Sequence, residues 1–129
     1  MSKYLFSYGT LRCGHAPEEI APVVERLRPA GTGFVLGQLY DLGEYPGIVL
    51  DSRSPQRVFG DVSLLPEDPD CLRALDAYEG FDADASESSL FVRTLHPVRL
   101  AKGGLLPCWI YVYNGSLEAA RVVESGRGS

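Results

Sequence analysis

The chain has 129 residues, enough for one domain with its own core and too few for two. Its 17 acidic residues against 12 basic ones give a net charge of −5, and no Lys/Arg cluster is interleaved with aromatic residues, which argues against nucleic acid as a partner. Hydrophobic residues make up 45% of the chain, yet no apolar run approaches the roughly 20 residues that span a bilayer, and no signal-peptide pattern opens the sequence, so a cytoplasmic location is expected.

Residues 3–9 predict a first strand that runs into the turn Tyr8-Gly9-Thr10-Leu11-Arg12. Gly9 permits positive φ and close approach of a ligand, and successive main-chain N–H groups in such a turn form an anion-binding concavity. A helix is expected over 17–28, entered by Pro17 with Glu18 and Glu19 in its first turn and with Ile20, Val23, Val24 and Leu27 on one face. Gly31 and Gly33 read as its breakers, followed by strands at 34–41, 47–51 and 57–65. Asp68-Pro69 is a helix start, Asp capping free N–H groups and Pro suiting the first helical position. Cys71, Leu72, Leu75 and Tyr78 line one face of that helix, which ends on Glu79 and Gly80. A polar loop over 82–89 follows, then strands at 90–100 and 107–113 joined through the hairpin turn Lys102-Gly103-Gly104. The reading is a single domain over 1–124 with a disordered Gly/Ser-rich tail at 125–129.

A carboxylate at the end of a helix meets the negative pole of the dipole, and burial would act in the same direction, so Glu79 is a candidate proton carrier. The plain alternative is a solvated surface glutamate. Asp76 lies three residues earlier and can share a face with Glu79; it reads as a surface or capping carboxylate. Arg12 could reach a substrate carboxylate, although a long cationic side chain beside a loop more often reads as surface packing. Cys13 and His15 could suggest a thiolate–imidazole pair, but no residue is marked out to orient His15. Cys13, Cys71 and Cys108 are widely spaced and expected to be free thiols, and with His15 and His96 the only histidines no metal site is expected. Trp109, Tyr111 and Tyr113 alternate along one strand and so share a face.

Five blocks occur in order over most of the chain: Tyr8-Gly9-Thr10-Leu11, Tyr45-Pro46-Gly47-Ile48-Val49, Val58-Phe59-Gly60-Asp61-Val62, Tyr78-Glu79-Gly80 and Trp109-Ile110-Tyr111-Val112-Tyr113. Their combination resembles the γ-glutamylcyclotransferase-like family, which includes γ-glutamylamine cyclotransferases. The resemblance implies an α+β fold: a mixed, mainly antiparallel β-barrel with helices packed on it. It also implies a reaction, release of a γ-glutamyl group as 5-oxoproline from a small-molecule substrate, with no cofactor. Glu79 is then the general acid/base, and Tyr8, Gly9, Thr10, Leu11, Tyr45, Pro46, Phe91 and Tyr113 are at the substrate. In the family the first loop grips the substrate through main-chain donors. Phe91 stands where the family often has Tyr, which removes one hydroxyl from the expected site. A non-catalytic barrel that binds a small amino-acid-like ligand is the competing expectation; a buried, poised Glu79 distinguishes the enzyme from it.

Overall fold

The computed structural model describes residues 3–8, 18–43, 45–118, 120–123 and 125–126. Seven strands and two α-helices are present among them: β1 Tyr4–Ser7, α1 Ala21–Val24, β2 Arg28–Asp41, β3 Pro46–Leu50, β4 Arg57–Leu64, α2 Pro69–Glu79, β5 Phe91–Leu100, β6 Leu105–Tyr113 and β7 Arg121–Val122. Hydrogen bonding runs β1-β4-β2-β3-β6 and returns to β1, which closes a five-stranded barrel. The pairings β1–β4, β4–β2 and β2–β3 are antiparallel, and the two that involve β6 are parallel, Leu5 lying opposite Trp109 and Ile48 opposite Val112. β5 extends the barrel as the hairpin partner of β6 and touches β2 at Gly33 and Phe34, while β7 adds to the end of β2. The mixed, mainly antiparallel barrel with packed helices is the expected fold.

Strand alternation divides the apolar residues into two layers. Phe6, Tyr8, Leu39, Ile48, Val58, Val62, Cys108 and Ile110 belong to one buried cluster. Leu5 and Tyr111, chain neighbours of Phe6 and Ile110 on the opposite strand faces, pack instead with Phe91 of β5 and with Ile20, Val24, Cys71 and Leu75 from the helical segments. The first cluster fills the barrel and the second lies between the barrel and its helices. Cys71 and Cys108 are buried free thiols, and Cys13 lies outside the described residues.

The expected helix over 17–28 is a correction: among its described residues, 18–28, only Ala21–Val24 is α-helical, and β2 already begins at Arg28. Prolines set both limits. Pro22 sits in the first turn, where its missing N–H is harmless, and Pro29 disfavours the helical region for Arg28 and turns it to extended backbone. Ile20, Val24 and Leu27 are buried as their spacing predicts. Gly31 and Gly33 do not break the chain but lie inside β2, which shifts register between Pro29 and Gly31. Gly33 is where β5 comes closest, since a Cβ there would stand 2.5 Å from the Arg99 carbonyl oxygen. The 82–89 segment carries a short 3₁₀ stretch at Ala83–Ser88. Gly126, from the expected tail, is bonded to the barrel, its carbonyl accepting from the Phe59 N–H at 2.8 Å, and just before the tail the Val123 N–H donates to the Leu39 carbonyl at 2.7 Å.

α2 begins and ends as the sequence predicts. Asp68 accepts a hydrogen bond from the Asp70 N–H at 2.9 Å, and Gly80 closes the helix at φ +72°, with Phe81 N–H donating to the Asp76 carbonyl at 2.9 Å. A methyl at position 80 would meet nothing nearer than Leu90 Cβ at 3.6 Å, so the cost of a side chain there is conformational rather than steric. Gly80→Ala is expected to lower unfolding free energy by about 1–2 kcal/mol, the cost of holding an L-residue in the left-handed region, with the folded spectrum unchanged; urea denaturation measures it.

Candidate active site

α2 delivers two carboxylates to the same end of the barrel, and their surroundings are opposite. Asp76 is partnered through one oxygen. Its Oδ1 accepts from Arg93 Nε at 2.8 Å and from the Tyr111 hydroxyl at 2.6 Å, and the Asp76 and Arg93 side chains are only 18% and 17% exposed. The guanidinium also stacks 4.4 Å above the Trp109 ring and 5.7 Å from that of Phe81, so Arg93 is held on its faces as well as its edge. Charge-assisted bonds in such a poorly hydrated setting are stronger than surface pairs. They pin the last turns of α2 to β5 and β6. The expectation of a surface or capping role for Asp76 is thereby corrected, and the Trp109 ring is a platform for the Arg93 cation.

Glu79, one turn further along, makes no hydrogen bond among the described residues. Burial pushes its carboxyl up from 4.5 to about 7, into the range where it can take and return a proton at neutral pH. Its charge acts on the phenols of Tyr8 and Tyr111, both of which burial already raises well above the ordinary tyrosine range. Two strands far apart in sequence therefore face this carboxylate.

Tyr8 is buried, and its hydroxyl joins three parts of the barrel: it donates to the Tyr111 carbonyl and accepts from the Ile48 N–H at 3.2 Å. The phenol is thus a strut between β1, β3 and β6. Gly9, Thr10 and Leu11, together with Arg12, Cys13 and His15, lie outside the described residues. Tyr45 packs its ring 5.8 Å from Phe91, and Phe91 meets Tyr113 edge-on at 5.5 Å, so these three aromatic residues from the expected site do come together, beside α2. Pro46 opens β3 opposite Asp41. Tyr113 presents its ring to this cluster while its hydroxyl donates to the Ser116 carbonyl at 3.1 Å. Phe91 is fully enclosed, which explains why an apolar ring is accepted there. Asp76, Arg93 and Tyr111 are what residue-by-residue reasoning missed. The three-residue spacing of Asp76 and Glu79 and the aromatic alternation of β6 were the signals for two of them; nothing local marked Arg93 as their partner.

Among the described residues no group of His, Cys, Asp and Glu could hold a metal ion. Burial pushes the Cys108 thiol up to about 11, which makes it a poor nucleophile.

The raised Glu79 carboxyl has a stability consequence. A group that holds its proton more tightly when folded stabilises the fold below its unfolded pKa, and that contribution is lost as pH rises through the folded value. At about 1.4 kcal/mol per pKa unit, the wild type should lose about 3 kcal/mol between pH 4.5 and about 7 that Glu79→Gln does not lose. Denaturant titrations of both proteins across that window measure the difference. Arg93→Met, in contrast, leaves Asp76 poorly compensated and is expected to cost about 3 kcal/mol, the low end for breaking a buried pair because the site retains some solvent contact. Thermal unfolding of the variant checks this.

Comparison with known proteins agrees with this architecture. The family model described as gamma-glutamyl cyclotransferase, AIG2-like, matches residues 5–127. No curated protein sequence matches the chain. Among solved structures, YkqA from Bacillus subtilis is 22% identical with a TM-score of 0.71; the match covers 99% of this chain and 40% of that one, so the chain spans less than half of that protein. An AIG2-like protein from Mus musculus is 24% identical with a TM-score of 0.70, over 90% of this chain and 80% of that one. A gamma-glutamyl cyclotransferase is 15% identical with a TM-score of 0.64, over 92% and 68% respectively. At these identities the solved structures speak for the fold, whereas the family model extends over nearly the whole sequence: the chain belongs to the gamma-glutamyl cyclotransferase, AIG2-like family.

Proposed function

We propose that the protein cyclises a γ-glutamyl group to 5-oxoproline and releases the amine or amino acid that the group had acylated, with Glu79 as the general acid/base. The observation that carries this reading is the state of Glu79: a half-buried carboxylate with no hydrogen-bond partner among the described residues and a carboxyl pushed up to about 7 by desolvation, whose charge acts on Tyr8 and Tyr111. A module that only bound a small ligand would have no use for so costly an arrangement.

The chemistry is intramolecular. The α-nitrogen of the γ-glutamyl unit attacks its own side-chain carbonyl carbon, the C–N bond to the acylated amine breaks, and a five-membered lactam closes. Attacker and target already belong to one molecule, so the protein's task is to hold the reactive conformer. The α-nitrogen arrives as an ammonium without a lone pair. Glu79 takes one proton from it, which frees the lone pair for attack, and returns that proton to the leaving nitrogen as the C–N bond opens. The second proton, shed as the α-nitrogen becomes a lactam nitrogen, ends on the released amine, so charge is balanced and no water is consumed. Residues Gly9 to Leu11 follow directly on the Tyr8 strut, and the family resemblance assigns them the substrate's hold. Phe91, Tyr45 and Tyr113 form an apolar wall on the same side of the barrel as α2.

Glu79→Gln keeps the shape of the carboxylate and cannot accept the proton, so 5-oxoproline release should fall by about 10²–10⁴ while the fold is retained. In the wild type kcat/KM should rise with pH around a midpoint of about 7, as the base deprotonates. A panel of γ-glutamyl compounds assayed for 5-oxoproline measures both. A fully active Glu79→Gln protein would overturn the assignment.

A further inference from the structure

Ser7 is the last residue of β1 and only 4% exposed, and its hydroxyl oxygen is buried with no hydrogen-bond partner among the described residues. Leaving a buried hydroxyl unpaired is unfavourable, and native structures seldom do so without a reason. Its position supplies one. Phe6 and Tyr8 face the barrel interior, so strand alternation turns Ser7 to the side of Leu5, into the layer that α2 covers. Leu5 lies opposite Trp109 in the parallel pairing of β1 with β6; two residues on, that register sets Ser7 beside Tyr111, the residue whose hydroxyl binds Asp76. Ser7 therefore lies beside Tyr8, its chain neighbour, and beside Tyr111, which is bonded to Asp76 one turn before Glu79 on α2. Both flanking tyrosines feel the Glu79 charge.

We propose that the Ser7 hydroxyl contacts the amino end of the γ-glutamyl group, accepting a hydrogen bond from its α-nitrogen on the side from which Glu79 removes the proton. This rests on the cyclotransferase reading and deepens it. A hydroxyl can remain an acceptor before and after the proton leaves, so it holds the nitrogen in one orientation while the freed lone pair turns toward the γ-carbonyl. Neither carboxylate can do this. Asp76 is already engaged by Arg93 and Tyr111, and Glu79 changes charge during the step.

The test uses Ser7→Ala and, as a second variant of nearly the same shape with a weaker hydrogen-bonding group, Ser7→Cys. Both should lower kcat/KM for a γ-glutamyl substrate by about ten- to a hundredfold, the range for a hydrogen bond to a charged group. The inhibition constant of the glutaryl amide, which lacks the α-amino group, should not change. Ser7→Ala without ligand should melt at or above the wild-type temperature, because an unpaired buried polar group has been removed. Wild-type kcat/KM in both variants overturns the proposal alone, as does an equal loss for substrate and glutaryl amide, or a Ser7→Ala protein that melts well below wild type. A wild type that releases no 5-oxoproline from any γ-glutamyl compound overturns the cyclotransferase reading, and this proposal with it.

Discussion

The Asp76 carboxylate is the hinge on which the architecture turns. One oxygen accepts from Arg93 of β5 and Tyr111 of β6, and so a helix that otherwise touches the barrel through apolar side chains acquires a fixed rotation and depth. Hydrophobic contact between α2 and the sheet is non-directional and would tolerate some sliding. Two short bonds to a single atom do not. Because Asp76 and Glu79 are three residues apart, fixing one fixes the direction in which the other points.

The same helix turn thus carries two carboxylates with divergent fates. One accepts from two donors, one of them the Arg93 guanidinium stacked on Trp109; the other is half-buried and without a hydrogen-bond partner among the described residues. Of the two, Glu79 is the one whose proton burial makes exchangeable near neutral pH. In this chain the guanidinium of Arg93 has a further part: it offsets the Asp76 charge locally, and burial alone accounts for the Glu79 shift. The folded state bears an unfavourable group at Glu79 and recovers stability at Asp76, a division between working and supporting residues that active sites commonly show.

Much of this was legible in the sequence. Asp68, Pro69 and Gly80 are local signals with local mechanisms, and they located α2 and put Glu79 on its last residue. The hairpin at Gly103 and Gly104 and the order of the family blocks did the same for the barrel. What failed depended on distant residues. Ile20, Val23, Val24 and Leu27 have helical spacing, but the prolines at 22 and 29 leave room for a single turn, and apolar burial there does not require a helix. Gly33 reads as a breaker until β5 is known to lie against it. β7 spans two residues whose only reason to be extended is the exposed end of β2. Asp76 looked like surface because its partners, Arg93 and Tyr111, come from strands well beyond it in the chain. An isolated carboxylate on a helix carries no trace of a cation that arrives from elsewhere.

The barrel closes where β1 meets β6, and the Tyr8 hydroxyl reaches across that seam to a carbonyl 103 residues away. Closing so long a loop is entropically slow, and parallel pairings between chain ends cannot nucleate locally. The hairpin of β5 and β6, the β2–β4 ladder and α2 can each assemble from nearby segments, but the seam waits for nearly the whole chain. Glu79 thus meets Tyr8 only after the last long-range pairing has formed. On a ribosome the end of the barrel that carries Glu79 would stay unassembled until β6 had emerged, and any species that stops short of closure would hold its helices and hairpins without the seam that brings Tyr8 to Tyr111.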